Sequence, residues 1–293
     1  MTYSQSRSPD SPVVDFSQTQ DLPLLPQSES IQTLWQNTLG WQPSASQWQL
    51  FQRVYHGTLI GNRLFNLTRI TDPDEFLEKH LWDSLRGIRG LQPTLASNSI
   101  APDSIAPNSD TELDGNTNLP TPTRVIDIGS GAGFPGLPVA IAQPDWQVTL
   151  LDATRKKTTF LDALRDELAL PHVTTLTQRA EAAGRLSAHR EQYDLALLRA
   201  VAPAAVCAEY ALPLLRIGGQ AILYRGHWTE DETSALRPVV ELLGGELAHI
   251  EAFQTPFTSG DRHCVVLKKV SATSTQFPRA NGVPNQKPLG QSK

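Results

Sequence analysis

The stretch RVIDIGSGAGFPG (Arg124–Gly136) decides how this chain folds. A short apolar strand, Val125–Ile128, leads into four glycines, Gly129, Gly131, Gly133 and Gly136, and Leu137–Ala142 then reads as a helix. Glycines let the backbone reverse tightly and let a ligand approach it closely. The amides at the start of the following helix are free to meet that ligand. A purely structural turn is the alternative, and the strand-turn-helix context weighs against it.

Outward from the turn, strands and helices alternate. Gln147–Leu151, Val173–Leu176, Leu195–Leu198 and Gln220–Tyr224 read as strands. Thr158–Leu168, Ala204–Leu215 and Asp231–Leu243 read as helices, the first with Phe160, Leu161, Leu164 and Leu168 on one face. This alternation predicts an α/β fold, a mostly parallel sheet with helices on both faces. Residues 247–253 and 263–269, joined without a helix, predict an antiparallel edge pair. Toward the N-terminus, Ile31, Leu34, Trp35 and Leu39, then Trp48, Phe51, Val54 and Tyr55, fall at helical spacing. Asp72-Pro73-Asp74-Glu75 reads as a helix start, with Asp72 accepting from free amides and Glu75 able to reach back. Phe76, Leu77, His80, Leu81 and Leu85 follow on one face.

The expected organisation is a disordered tail over 1–30, a helical layer over 31–91, a low-complexity insertion over 92–123, an α/β domain over 124–270 and a disordered tail over 271–293. The three segments outside the core hold 12 of the 22 prolines and carry −4 of the net charge of −5 over 293 residues. The body is therefore near neutral, and whole-chain charge gives no sign of a nucleic-acid partner. The two cysteines, Cys207 and Cys264, lie outside any CxxC, and the seven histidines show no paired metal spacing. Both facts argue against a disulfide framework and a metal site. No basic-then-apolar leader and no membrane-spanning apolar run is present, so the cytoplasm is the expected compartment. A monomer is the default.

Gly131, Gly133 and Gly136 satisfy G-x-G-x-x-G, so a dinucleotide is one candidate ligand. Asp127 points elsewhere. A carboxylate two residues before the first glycine repels a pyrophosphate and suits a cation. S-adenosylmethionine carries a sulfonium, an amino group and no phosphate. Asp152, 23 residues after Gly129 at the end of the next strand, can accept both hydroxyls of a ribose. It can also cap the following helix, and the two roles are compatible. Ala180-Glu181 follows the third strand, where an adenine edge would be held, although Glu181 could equally be a helix-start charge. Arg199 ends the apolar run Leu195–Leu198 and can clamp a carboxylate with two hydrogen bonds. A solvated strand-end arginine is the alternative.

These residues resemble a known family. NLTRITDPDEFLEKHLWDSL (Asn66–Leu85), VIDIGSGAGFPGLPVAI (Val125–Ile141), LLDATRKKTTFL (Leu150–Leu161) and LLRAVAP (Leu197–Pro203) are similar to the GidB, or RsmG, family of 16S ribosomal RNA guanine-N7 methyltransferases. The resemblance covers Ile31 to about Val270. It implies a class I, Rossmann-like methyltransferase domain with N-terminal helices, S-adenosyl-L-methionine as cofactor and the small ribosomal subunit as partner. Cofactor contacts carried across by motif fall on Gly129, Phe134, Asp152, Ala153, Thr154, Ala180, Glu181 and Arg199. The tails and the 92–123 insertion depart from the family pattern without touching its motifs.

The implied reaction needs few catalytic groups. Guanine N7 has an in-plane lone pair, so no general base is required and no catalytic residue is assigned. Positioning is the expected source of rate. Arg199 could approach guanine O6, but a cofactor-orienting role fits better because N7 must stay open. For RNA, Arg155-Lys156-Lys157 is the candidate cluster, since cations at a helix start are disfavoured unless an anion is near. A solvated helix face is its alternative. His80 and Trp82 are expected to join the helical layer to the sheet. A methyltransferase for a small molecule or protein, a nicotinamide-dependent oxidoreductase and a non-catalytic ribosome-associated factor are the competing readings.

Overall fold

Period-two alternation sends the side chains of each strand to opposite faces, and both faces of this sheet are covered. In the computed structural model, which describes residues 14–91 and 122–290, Val125 of β1 (Arg124–Ile128) packs into one core while Ile126 and Ile128 pack into the other. Leu195 and Leu197 of β4 (Tyr193–Arg199) oppose Ala196 and Leu198 in the same way. The remaining strands are β2 (Gln147–Asp152), β3 (Val173–Thr177), β5 (Leu215–Arg225), β6 (Gly245–Gln254) and β7 (Asp261–Lys269). The seven-stranded sheet has the order β3-β2-β1-β4-β5-β7-β6. Strands β1 to β5 pair in parallel, and β7 runs antiparallel to both β5 and β6. This is the antiparallel edge that the sequence predicts. Building reverses direction between β1 and β4, and open α/β sheets bind ligands at such a switch, beyond the carboxyl ends of the strands.

The first core face is covered by α1 (Glu29–Leu39), α2 (Ala45–Phe65), α5 (Gly136–Ala142), α6 (Arg155–Leu168) and one composite helix. That helix runs from α3 (Pro73–Phe76) through a π-helical turn (Leu77–Trp82) into α4 (Asp83–Arg86). Asp72 Oδ1 accepts from the Asp74 and Glu75 amides at 3.0 and 3.1 Å, as its sequence predicts. Glu75 does not reach back. Its carboxylate pairs with Lys79 at 2.6 Å instead. The other face carries α7 (Ala180–Ala183), α8 (Ala204–Ala211), α9 (Glu230–Leu242) and α10 (Val283–Gln286).

Two boundaries differ from the sequence reading. The helix expected over 204–215 stops at Ala211, because Pro213 has no amide to continue it and restricts the residue before it. Gly218 and Gly219 then lie inside β5, at an irregularity in its pairing with β4, and stop nothing. The tails also differ. Residues 271–290 are not a disordered tail. Phe277 and Pro284 are buried, and Arg190 donates to the carbonyls of Thr273 and Phe277 at 2.6 and 2.8 Å. Side-chain donors satisfy this backbone where no helix or sheet does. Within the expected N-terminal tail, Leu25 is buried and its amide donates to Gln52 at 2.8 Å. The expectations for residues 1–13, 92–121 and 291–293 lie outside the described residues.

Candidate cofactor and substrate site

Gly129, Gly131 and Gly133 all have positive φ, at +75°, +58° and +97°. At Gly129 a Cβ would stand 2.9 Å from Val201, and at Gly136 one would stand 2.3 Å from Leu150 and 2.8 Å from Asp127 Oδ2. The turn is therefore pressed between β2 and the loop after β4, and only hydrogen fits at these positions. At Gly131 the nearest atom to a Cβ would be 3.9 Å away, so the outer side of the turn is open.

Asp127 does not face that open side. Its side chain is fully buried under the turn, Oδ2 accepts from the Gly136 amide at 2.9 Å, and neither cleft described below includes it. Oδ1 has no partner among the described residues. Burial pushes this carboxyl up to about 7, against the opposing pull of the Gly136 amide and of Arg199. The expectation of a carboxylate directly facing a cationic ligand is corrected accordingly: strand alternation turns Asp127 inward, and its observed work is to brace the turn.

Two clefts meet at Gly129. The smaller, of about 190 Å³, is lined by Asp152, Ala153, Ala180 and Glu181, together with Gln178, Val201, Tyr210 and Asn285. Asp152 Oδ1 accepts from the Thr154 amide at 2.8 Å and Oδ2 from the Gly131 amide at 3.1 Å. Each oxygen keeps a lone pair for a further donor. Glu181 is 2% exposed, and its carboxylate is already engaged. Oε1 accepts from Gly282 at 2.8 Å and from the Tyr210 hydroxyl at 3.4 Å, while Oε2 lies 3.6 Å from Arg179. The side chain of Glu181 thus holds the protein together at this point, although the residue borders the cleft. Thr154 is the N-cap of α6 and makes no side-chain cap bond.

The larger cleft, of about 740 Å³, lies between the helical layer and the sheet. Gly129, Gly131 and Phe134 line it with Arg199. Arg199 Nη1 donates to the Lys79 carbonyl at 2.8 Å and approaches Asp83 Oδ2 at 3.3 Å. Its Nη2 donates to His80 Nδ1 at 3.2 Å. A guanidinium cannot accept, so Nδ1 is unprotonated and Nε2–H donates to Thr68 Oγ1 at 2.8 Å. Burial, with Arg199 and Lys79 close by, pushes His80 down to about 2, in keeping with a neutral ring. That ring stacks on Phe134, with centroids 4.3 Å apart and planes 4° from parallel. Trp82 donates to Thr38 at 2.9 Å. His80 thus joins the helical layer to the glycine turn and β4, whereas the Trp82 bond to Thr38 stays within the helical layer and its ring meets Phe253 of β6. The π-helical turn that carries both is a distortion common at functional sites.

Of the basic cluster, Arg155 and Lys156 are exposed, whereas Lys157 lines the larger cleft with Nζ 3.8 Å from Asp152. Sequence reasoning missed several residues of this cleft: Thr68, Lys79, Asp83, Arg225 and Arg262. Arg225 had a usable signal, since it ends β5 as Arg199 ends β4. Asp83 had a weaker one, a charge within an apolar helical face. Five cationic side chains, Lys79, Lys157, Arg199, Arg225 and Arg262, line the cleft against two carboxylates, Asp83 and Glu232. Among the described residues, no group of three or more His, Cys, Asp or Glu could hold a metal, and no helix is long and apolar enough to cross a membrane.

Residues 112–265 match the family described as rRNA small subunit methyltransferase G, or GidB. The chain is 53% identical over 266 residues to the ribosomal RNA small subunit methyltransferase G of Nostoc punctiforme, across 91% of this chain and 99% of that protein. The protein of the same name from Trichormus variabilis is 50% identical across the same shares. That of Trichodesmium erythraeum is 49% identical across 92% of this chain and 96% of its own. Both the glycine turn at the switch point and the sheet order are those of class I methyltransferases. An open-backed glycine cradle beside a strand-end carboxylate fits a nucleoside. The chain belongs to the rRNA small subunit methyltransferase G family of S-adenosylmethionine-dependent enzymes.

Proposed function

We propose that this protein methylates N7 of one guanosine in 16S ribosomal RNA, acting on the small subunit in the cytoplasm as a monomer. The observation that carries the reading is the pair of clefts joined at Gly129, one nucleoside-sized and the other wide and lined by five cations. A single chain supplies both walls. Family membership weighs against the nicotinamide alternative.

S-adenosylmethionine supplies an electrophilic methyl group. Asp152, with Ala153 and Thr154 beside it, takes the ribose end, and the Ala180-Glu181 segment takes the base end. Gly129, Gly131 and Gly133 let the cofactor lie against the backbone, and Arg199 holds its carboxylate. Phe134 and the neutral His80 ring form an apolar, uncharged part of the larger cleft's wall. Guanine N7 needs no deprotonation, so these residues act by fixing distance and angle while excluding water. Lys157, with Arg155 and Lys156 at the rim, meets phosphates.

The test is transfer of a labelled methyl group to small subunits from a strain lacking the modification, followed by nucleoside mapping. A single 7-methylguanosine is expected. Label in another nucleoside, or in none, would overturn the reading.

A further inference from the structure

Residues 271–290 have the composition of a solvated tail, yet they are anchored beside the smaller cleft. Phe277 is buried in the core under α8 and α9. Arg279 donates from its amide and Nε to Glu209 Oε1 at 2.8 and 2.9 Å, and from Nη2 to Oε2 at 2.6 Å. Glu209 is fully buried, so this contact is strongly held. The Gly282 amide then donates to Glu181 at 2.8 Å. These anchors place α10 along the cleft, with Asn285 in the same wall as Asp152 and Ala153.

We propose that residues 271–290 form part of the cofactor site and that Asn285 recognises the adenine edge. This rests on the reading of the smaller cleft as the adenosine site. Adenine presents a donor and an acceptor side by side. A carboxamide offers the complementary pair, as it does when asparagine reads adenine in nucleic acids. Glu181 cannot fill that role alone, because its oxygens serve Gly282, Tyr210 and Arg179. It is a positioning residue that seats Gly282 and hence Asn285. The Asn285 side chain is exposed and makes no hydrogen bond to another described residue, so its carboxamide is free for a ligand.

The experiment uses the full chain, titrated with S-adenosylhomocysteine and with its inosine counterpart, which replaces the N6 donor beside N7 with an O6 acceptor, so that no orientation of a carboxamide pairs with both atoms. The wild type should prefer the adenine compound. Asn285→Ala should weaken adenosyl binding by about tenfold and leave inosyl binding unchanged, so that the preference shrinks. Gln178→Ala, at the other carboxamide in the wall, should retain the preference. A preference unchanged in Asn285→Ala, or lost in Gln178→Ala alone, would overturn the assignment. Hydrogen exchange gives a second readout: S-adenosylhomocysteine should slow exchange across residues 279–286 of the wild type, and unchanged exchange there would show the segment to be scaffold only. If the wild type bound neither compound, the adenosine-site reading itself would fall.

Discussion

Asp152 and Gly131 are tied across two strand ends, Oδ2 of the carboxylate accepting from the glycine amide at 3.1 Å. One side chain therefore sets the position of the glycine turn and borders the smaller cleft. Asp152→Asn keeps an oxygen acceptor but loses the charge. Affinity for S-adenosylhomocysteine should fall about tenfold to a hundredfold, as expected for lost charge-assisted hydrogen bonds. Asp152→Ala should lose as much affinity and also lower Tm, since the Gly131 and Thr154 amides lose their acceptor. Calorimetric titration beside thermal melts separates the two effects, and full affinity in Asp152→Asn would refute the ribose role.

Arg199 has a structural debt as well as a binding role. Arg199→Ala leaves Asp83 buried with the more distant Arg262 at 3.7 Å, and the loss of stability should be about 3 kcal/mol. Cofactor affinity and rRNA methylation should fall together. Adding Asp83→Asn removes the stranded charge, so the double variant should recover much of the lost Tm without recovering methylation. Recovery of both would mean that Arg199 matters for folding alone.

The cationic rim predicts a salt signature. Log–log plots of RNA affinity against salt should flatten by about 0.7 for each lost contact to a single-stranded phosphate. Arg155→Ala with Lys156→Ala tests the outer rim without disturbing Asp152, which Lys157 approaches at 3.8 Å. Arg225→Ala with Arg262→Ala tests the opposite wall. An unchanged slope in either pair removes that pair from the RNA path.

Asp127 and His80 pull stability in opposite directions with pH. Asp127 is raised from 3.8 to about 7 in the folded state, so its contribution is fully present below about 4 and lost as pH rises through 7. His80 is lowered from 6.5 to about 2, so the unfolded chain takes up the extra proton. Its contribution is present above about 6.5 and is lost as pH falls toward 2. Asp127→Asn should therefore gain on the wild type, by a few degrees of Tm, between about pH 5 and pH 8. His80→Gln should show a shallower loss of Tm than the wild type below about pH 6.5. Melting curves across this range that stay parallel to the wild type would show these groups to titrate normally.

The turn, the alternation of strands and helices and the antiparallel edge were legible because glycine spacing and apolar periodicity are local signals. Asp152, Ala180 and Arg199 were legible for the same reason, each standing at a strand's carboxyl end. Asp127 looked the same in sequence. Its inward aim depends on which face of β1 it takes, and both faces are buried. The His80–Arg199 contact was hidden because the two residues are 119 positions apart and meet only when the helical layer closes on the sheet. Residues 271–290 were misread because polar composition normally signals too little burial to order a chain. Here the side chains of Arg190, Glu209 and Arg279 supply the missing bonds.

Asp83 faces Arg199 of β4 and Arg262 of β7 from the helical layer, so one carboxylate joins both walls of the larger cleft. The width of the opening is consequently set before any RNA arrives. In an A-form helix N7 lies in a groove too deep and narrow for protein side chains to enter. A fixed aperture cannot follow it there. A guanosine held in such a helix therefore has to leave its stack and enter the cleft as a splayed-out nucleotide.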